Sequence, residues 1–154
     1  MEFFPYILPL PKNRDDQRKF YRSVFGSDTA LDVLRQASLE GKIYQRDLIR
    51  GLKYSNKTIL TTLKKLVSLG VLQEGMERFS ERGKSIWVKW YSPTNVGRWI
   101  VLLFLPPKKV DSEIVEEILK ELFKLYVKNA IQLCRTYGLD IEILRRVFEE
   151  SFRG

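Results

Sequence analysis

Apolar positions change their spacing twice along this chain. Over residues 15–25, and again from Asp28 through Leu31, Val33, Leu34 and Ala37, they recur at helical intervals. Gly26 separates the two runs, Ser27 or Asp28 supplies a cap, and the second helix is expected to end at Gly41. A short helix is predicted over residues 45–52, with Leu48, Ile49 and Leu52 inward and Arg46 and Arg50 outward. Gly51, Lys53 and Tyr54 make the turn after it. Ser55 offers a hydroxyl N-cap to a helix reaching about residue 69, and Gly70 stands where a C′ residue with positive φ is expected. Ile59, Leu60, Leu63, Leu66 and Val67 form its apolar stripe, while Asn56, Lys57, Thr58, Thr61, Thr62, Lys64 and Lys65 form a polar face.

Beyond Gly70 the signal becomes that of strands. Residues 71–79 and 85–91 are rich in β-branched and aromatic side chains, and Ser80-Glu81-Arg82-Gly83-Lys84 between them reads as the connection of a hairpin with a basic tip. Thr94 can cap a helix beginning near Asn95. After Pro106 and Pro107, Asp111 or Ser112 can start a long helix to Tyr137, stopped by Gly138, and Asp140 can start a last one carrying Leu144, Val147, Phe148 and Phe152. The long helix has a broad apolar face that includes Val115, Ile118, Leu119, Leu122, Tyr126 and Leu133, more than a domain this small covers by itself.

Helix, turn, helix and hairpin is the order of a winged helix-turn-helix. Three stretches carry the resemblance: residues 48–58 (LIRGLKYSNKT), residues 63–72 (LKKLVSLGVL), and Tyr91-x-x-Thr94-x-x-Gly97. Over residues 28–105 the chain resembles the prokaryotic winged-helix transcription regulators of the ArsR, MarR and PadR groups and their archaeal relatives. Pro93 departs from that pattern by standing where the family usually has Leu. The resemblance implies a mainly α fold with a small β-hairpin, a winged helix-turn-helix followed by C-terminal dimerisation helices. The expected division is an N-terminal arm and helix over 1–26, a DNA-binding domain over 27–105 and a helical dimerisation region over 106–154.

Charge sharpens the functional reading. The 154 residues hold 27 Lys and Arg against 19 Asp and Glu, a net +8, and the isoelectric point is near 9.6. That excess favours an anionic partner. Residues 1–40 are neutral and residues 111–154 carry a small acidic excess, so the charge is concentrated in the middle of the chain, around the proposed recognition helix and hairpin. There is no His and a single cysteine, Cys134. Zinc fingers, His-based metal sites, Ser-His-Asp or Cys-His catalysis and a disulfide framework therefore lack their parts. No metal sensor, cofactor or catalytic residue is expected. Gly83-Lys84-Ser85 ends like a phosphate-binding P-loop, but Arg78 occupies the position where that motif needs Gly.

A helix with short polar residues and Lys on one face fits the major groove of duplex DNA. The residues expected at the interface are Arg46, Lys53, Tyr54, Ser55, Asn56, Lys57, Thr58, Thr61 and Lys65, with Arg78, Arg82 and Lys84 from the wing. Asn56 and Thr58 would read bases, and Lys57 and Lys65 would neutralise phosphate. A basic polar face also suits a plain solvated surface, and a winged helix also serves as a protein-binding adaptor in transcription or other assemblies. Trp87, Trp90 and Trp99 are expected in the core or at an interface, and Cys134 as a small buried side chain. The expected partners are double-stranded DNA, a second copy of the chain and an effector of unknown identity. Two recognition helices about 34 Å apart would then meet successive major grooves of a pseudo-palindromic operator.

The apolar N-terminus, broken by Pro5, Pro9 and Pro11, lacks a charged leader, and no apolar run approaches the ~20 residues of a membrane span. A cytoplasmic repressor without membrane contact is the expectation, with the N-terminal proline-rich arm either lying across a partner or staying mobile.

Overall fold

The computed structural model describes Met1 and residues 7–154; residues 2–6 of the N-terminal arm, including Pro5, lie outside the described residues. Two units are formed, Met1–Asp111 and Ser112–Gly154.

In the first unit, α1 (Arg14–Phe20) is capped by Asn13, whose side chain accepts from the amides of Asp15 and Asp16. It runs into a π turn, Tyr21–Phe25, closed where the Gly26 amide donates to the Tyr21 carbonyl. That turn buries Val24 and packs on the two helices that follow it in the core, α2 (Asp28–Gln36) and α4 (Asn56–Ser68). The arm is tied down at its described end, where Ile7 accepts from the Trp99 indole N–H and Pro11 accepts from the Gln17 amide side chain.

Helix α2 is capped by Ser27 on the Ala30 amide. It ends at Gln36, short of the expected Gly41, because Ala37 takes an extended conformation. The reason is packing. Ala30, Val33, Leu34 and Ala37 share one helical face, and continuing the helix would turn Leu39 away from it. Leaving the helix lets Ala37 and Leu39 both be buried.

The chain then forms β1 (Ile43–Tyr44), too short to leave a periodic signal, and α3 (Gln45–Gly51). Ser55 caps α4 by accepting from the Thr58 amide. At the other end, Gly70 adopts φ 74°, so that the Val71 and Gly70 amides reach the Leu66 and Val67 carbonyls. Thr62, expected on the polar face, is buried. It lies three residues after Ile59 and four before Leu66, both with no exposed surface, and so belongs to the stripe they define.

Strands β2 (Leu72–Glu81) and β3 (Lys84–Pro93) form the wing, and β1 adds to β3, giving the antiparallel order β1-β3-β2. Glu81 pairs with Lys84, so the connection is the two-residue turn Arg82-Gly83 rather than a five-residue loop. Both residues have positive φ, 49° and 76°, as a tight hairpin turn with the strands' own twist requires. Thr94 caps α5 (Asn95–Leu102) on the Gly97 amide and donates its hydroxyl to the Gly70 carbonyl. Gly97 is needed there, since a Cβ would stand 1.8 Å from the Val71 carbonyl oxygen.

The second unit is a pair of helices, α6 (Ser112–Tyr137) and α7 (Ile141–Ser151). Gly138, at φ 65°, closes α6, with the Leu139 amide on the Cys134 carbonyl; Asp140 caps α7 on the Glu142 amide. Phe148 meets Phe123 and Phe152 edge-on at 6.3 and 4.9 Å between ring centroids. Cys134 is buried, as expected. Among the described residues no helix is long and apolar enough to cross a membrane.

Candidate nucleic-acid interface

Helix α4 buries Ile59, Thr62, Leu63 and Leu66 against the first unit's core. Its opposite face therefore carries Lys57, Thr61, Lys64 and Ser68 along the middle, with Thr58 and Lys65 beside them, all exposed. Lys64, on the polar face but outside the expected contact set, is thus as central as Lys57. The buried Thr62 is what locates that centre, and the sequence alone leaves its side open.

Several of the expected contact residues have internal partners. The Tyr54 hydroxyl donates to Asp32 Oδ2 at 2.6 Å, linking the turn before α4 to α2; this bond to a carboxylate raises the phenol's pKa. Ser55 is the cap of α4, and its hydroxyl also meets that of Thr58 at 2.8 Å. Arg46 lies 3.2 Å from Glu81 Oε1 and 5.4 Å above the Phe79 ring, so it ties α3 to the wing. Lys53 and Asn56 are exposed.

The wing's carboxylates are engaged. Glu77 accepts from the Tyr44 hydroxyl at 2.7 Å and lies 3.4 Å from Lys42 Nζ. The Tyr44 hydrogen bond, more than the nearby ammonium, holds the Glu77 carboxyl below the usual carboxylate range and pushes the Tyr44 phenol up. Glu74 pairs with Lys89 at 2.9 Å, which raises the lysine's pKa. Together with Arg46–Glu81, these pairs neutralise each wing glutamate with a cation from β3, from the residue before β1 or from α3.

Arg78, Arg82 and Lys84 on the hairpin, and Lys57, Lys64 and Lys65 on α4, are all exposed. Among the described residues none of these six has a carboxylate within 4.0 Å. The unit thus presents a helix face and a hairpin end with a surplus of unpaired positive charge.

The tryptophans separate into three environments. Trp99 is buried, and Trp90 is half-buried with Lys42 Nζ 4.8 Å above its ring. Trp87, expected in the core or an interface, has 64% of its surface exposed. Alternation along β3 puts it on the face shared by Lys89 and Tyr91, and toward the tip of the hairpin that face is exposed, whereas Tyr91 near the base is buried.

Of the six residues expected at a dimer interface, Ile118 and Leu122 are buried within the chain, and Val115 is half-buried. Leu119, Tyr126 and Leu133 are exposed. So are Phe123, Val127, Leu144, Val147, Phe148 and Phe152, which leaves much of both helices' apolar surface in solvent.

Element order, sheet register and the capped α4 define a winged helix-turn-helix protein with a basic face. No protein-family model matches the chain, and no curated protein matches it. Four chains of solved structures do; one, described as the crystal structure of MarR, is 22% identical, with a TM-score of 0.40 over 92% of each chain.

Proposed function

We propose that this chain is a sequence-specific, double-stranded DNA-binding regulator of transcription. It acts as a homodimer that represses by occupying a pseudo-palindromic operator. The observation that carries the reading is the set of six exposed cations that, among the described residues, have no carboxylate partner, three on the outer face of α4 and three on the hairpin. Their charges are available to phosphate, while the wing glutamates that would oppose them are already paired.

In this reading Thr61 and Lys64 sit at the centre of the groove-facing surface, Lys57 and Lys65 bind phosphate, and Asn56 and Thr58 reach base edges from the first turn. Arg46, Tyr54 and Ser55 hold that surface in place through Glu81, Asp32 and the helix cap. The exposed apolar surface of α6 and α7, Leu119, Tyr126 and Leu133 included, joins two copies. The winged helix over 27–105 is then the DNA-binding domain, preceded by the N-terminal arm and helix over 1–26 and followed by the dimerisation region over 106–154.

The test is selection from a pool of random duplexes followed by sequencing of the bound fraction. The expected result is an enriched inverted repeat with half-sites about 10 base pairs apart, centre to centre. Binding without enrichment would reduce the chain to a non-specific DNA binder. No binding at low salt would leave the winged helix as a protein-binding adaptor.

A further inference from the structure

Trp87 leaves 64% of its surface in solvent and Met76 leaves 54%. Strand alternation puts both on the hairpin face shared by Arg78, Ser80 and Ser85, with Arg78 directly across from Trp87. This outer half of the face holds no carboxylate. Glu77 and Glu81 point to the opposite face, where Lys42, Tyr44 and Arg46 hold them, and Glu74, nearer the base, is paired with Lys89. An exposed aromatic plate beside a guanidinium that, among the described residues, has no carboxylate within 4.0 Å complements a surface that alternates apolar and anionic groups. A deoxyribose–phosphate backbone is such a surface, offering sugar C–H groups to the indole and phosphate oxygens to Arg78 and the indole N–H.

The position along the wing selects which part of the duplex is met. Trp87 lies three strand steps from Lys84, the first residue after the turn, about 10 Å at ~3.4 Å per residue. DNA grooves are only about 7.5–8.5 Å deep. With Arg82 at the groove floor, the indole is level with the backbone and beyond the stacked bases.

We propose that Trp87, with Met76 and Arg78, grips the sugar–phosphate backbone at the rim of the groove the wing enters, the indole and Met76 supplying affinity that is independent of sequence and of salt. The assignment rests on the DNA-binding reading above. It adds to the electrostatic face a contact of a different kind, because burying an indole against sugar releases no counterions.

The experiment uses the full chain and a fixed, fluorescently labelled duplex of about 30 base pairs, with anisotropy read across a salt series for wild type, Trp87→Ala and Trp87→Phe. A second duplex carries 2-aminopurine in the contacted groove, and thermal melts check the fold of each variant. Trp87→Ala is expected to weaken binding about tenfold or more at every salt concentration with the log–log slope unchanged. Trp87→Phe should stay within about threefold, and the 2-aminopurine emission should be the same with and without protein. Three results would overturn the proposal. Wild-type affinity in Trp87→Ala, with duplex binding otherwise intact, would remove Trp87 from the interface and leave the DNA-binding function standing. A rise in 2-aminopurine emission that Trp87→Ala abolishes, or a preference for single strands, would make the indole a base-stacking residue instead. Failure of the wild type to bind any duplex would refute the functional reading and this contact with it.

Discussion

Replacing Lys57, Lys65 and Arg82 together by Ala tests the basic face through a quantity the structure sets in advance. Lys57, Lys64, Lys65, Arg78, Arg82 and Lys84 are exposed and, among the described residues, without carboxylate partners. Each phosphate neutralised on duplex DNA contributes about −0.9 to the slope of log K against log salt, so six give about −5.4 and the remaining three about −2.7. Raising salt from about 50 to 200 mM should then weaken wild-type binding roughly 2,000-fold and the triple variant only roughly 40-fold. Lys42→Ala is the control, because its ammonium lies 3.4 Å from Glu77 and brings little free charge to the duplex. Fluorescence anisotropy across the salt series measures all three. Equal slopes for wild type and triple variant would refute the assignment of the face. A loss of slope in Lys42→Ala as large as that from one of the three residues would refute the argument from ion pairing.

Three further outcomes follow from the geometry. Gly97→Ala forces a methyl against the Val71 carbonyl oxygen, an overpacking that should cost about 3 kcal/mol and lower the thermal midpoint by roughly 6–12 °C in a differential scan. Glu77 has a folded pKa below its unfolded one, so its contribution is complete above the ordinary carboxylate range of about 4.3 and is lost as pH falls through the depressed value. In urea melts Glu77→Gln should therefore be less stable than wild type at neutral pH, and the gap should narrow as pH falls below the ordinary carboxylate range. Leu133→Glu changes a residue that is 58% exposed, so the helical circular dichroism should persist while sedimentation shows a dimer reduced to monomers. A wild type that is monomeric throughout would remove the dimer face.

What could be read from the sequence was what depends on near neighbours. Ser27, Ser55, Thr94 and Asp140 cap as expected, and Gly70 and Gly138 close helices with positive φ, because a cap or a C′ residue acts within one turn. The apolar stripe of α4 and the hairpin were visible by period. Features fixed by distant partners were not. β1 is two residues long and exists through its pairing with Tyr91 and Trp90, and α2 stops early so that Leu39 can reach the core. Arg46 reads as an outward cation until Glu81, thirty-five residues on, is brought beside it. Trp87 was expected in the core or at an interface because duplex readers rarely need exposed indoles; only the β2–β3 register reveals which hairpin face it occupies. That same register separates glutamates held by the fold from cations left free, a distinction net charge does not contain.

Arg82 sits at the first position of its two-residue turn with φ 49°, a conformation that Asn or Gly adopts at less cost. A chain selected for folding alone would give up the guanidinium there. Holding it sets thermal stability and grip on DNA in opposition at one residue, so an Arg82→Asn variant would melt later and bind less. Directed evolution that screens this protein by heat resistance would therefore tend to strip charge from the wing tip, returning hardier molecules with a weaker hold on their target.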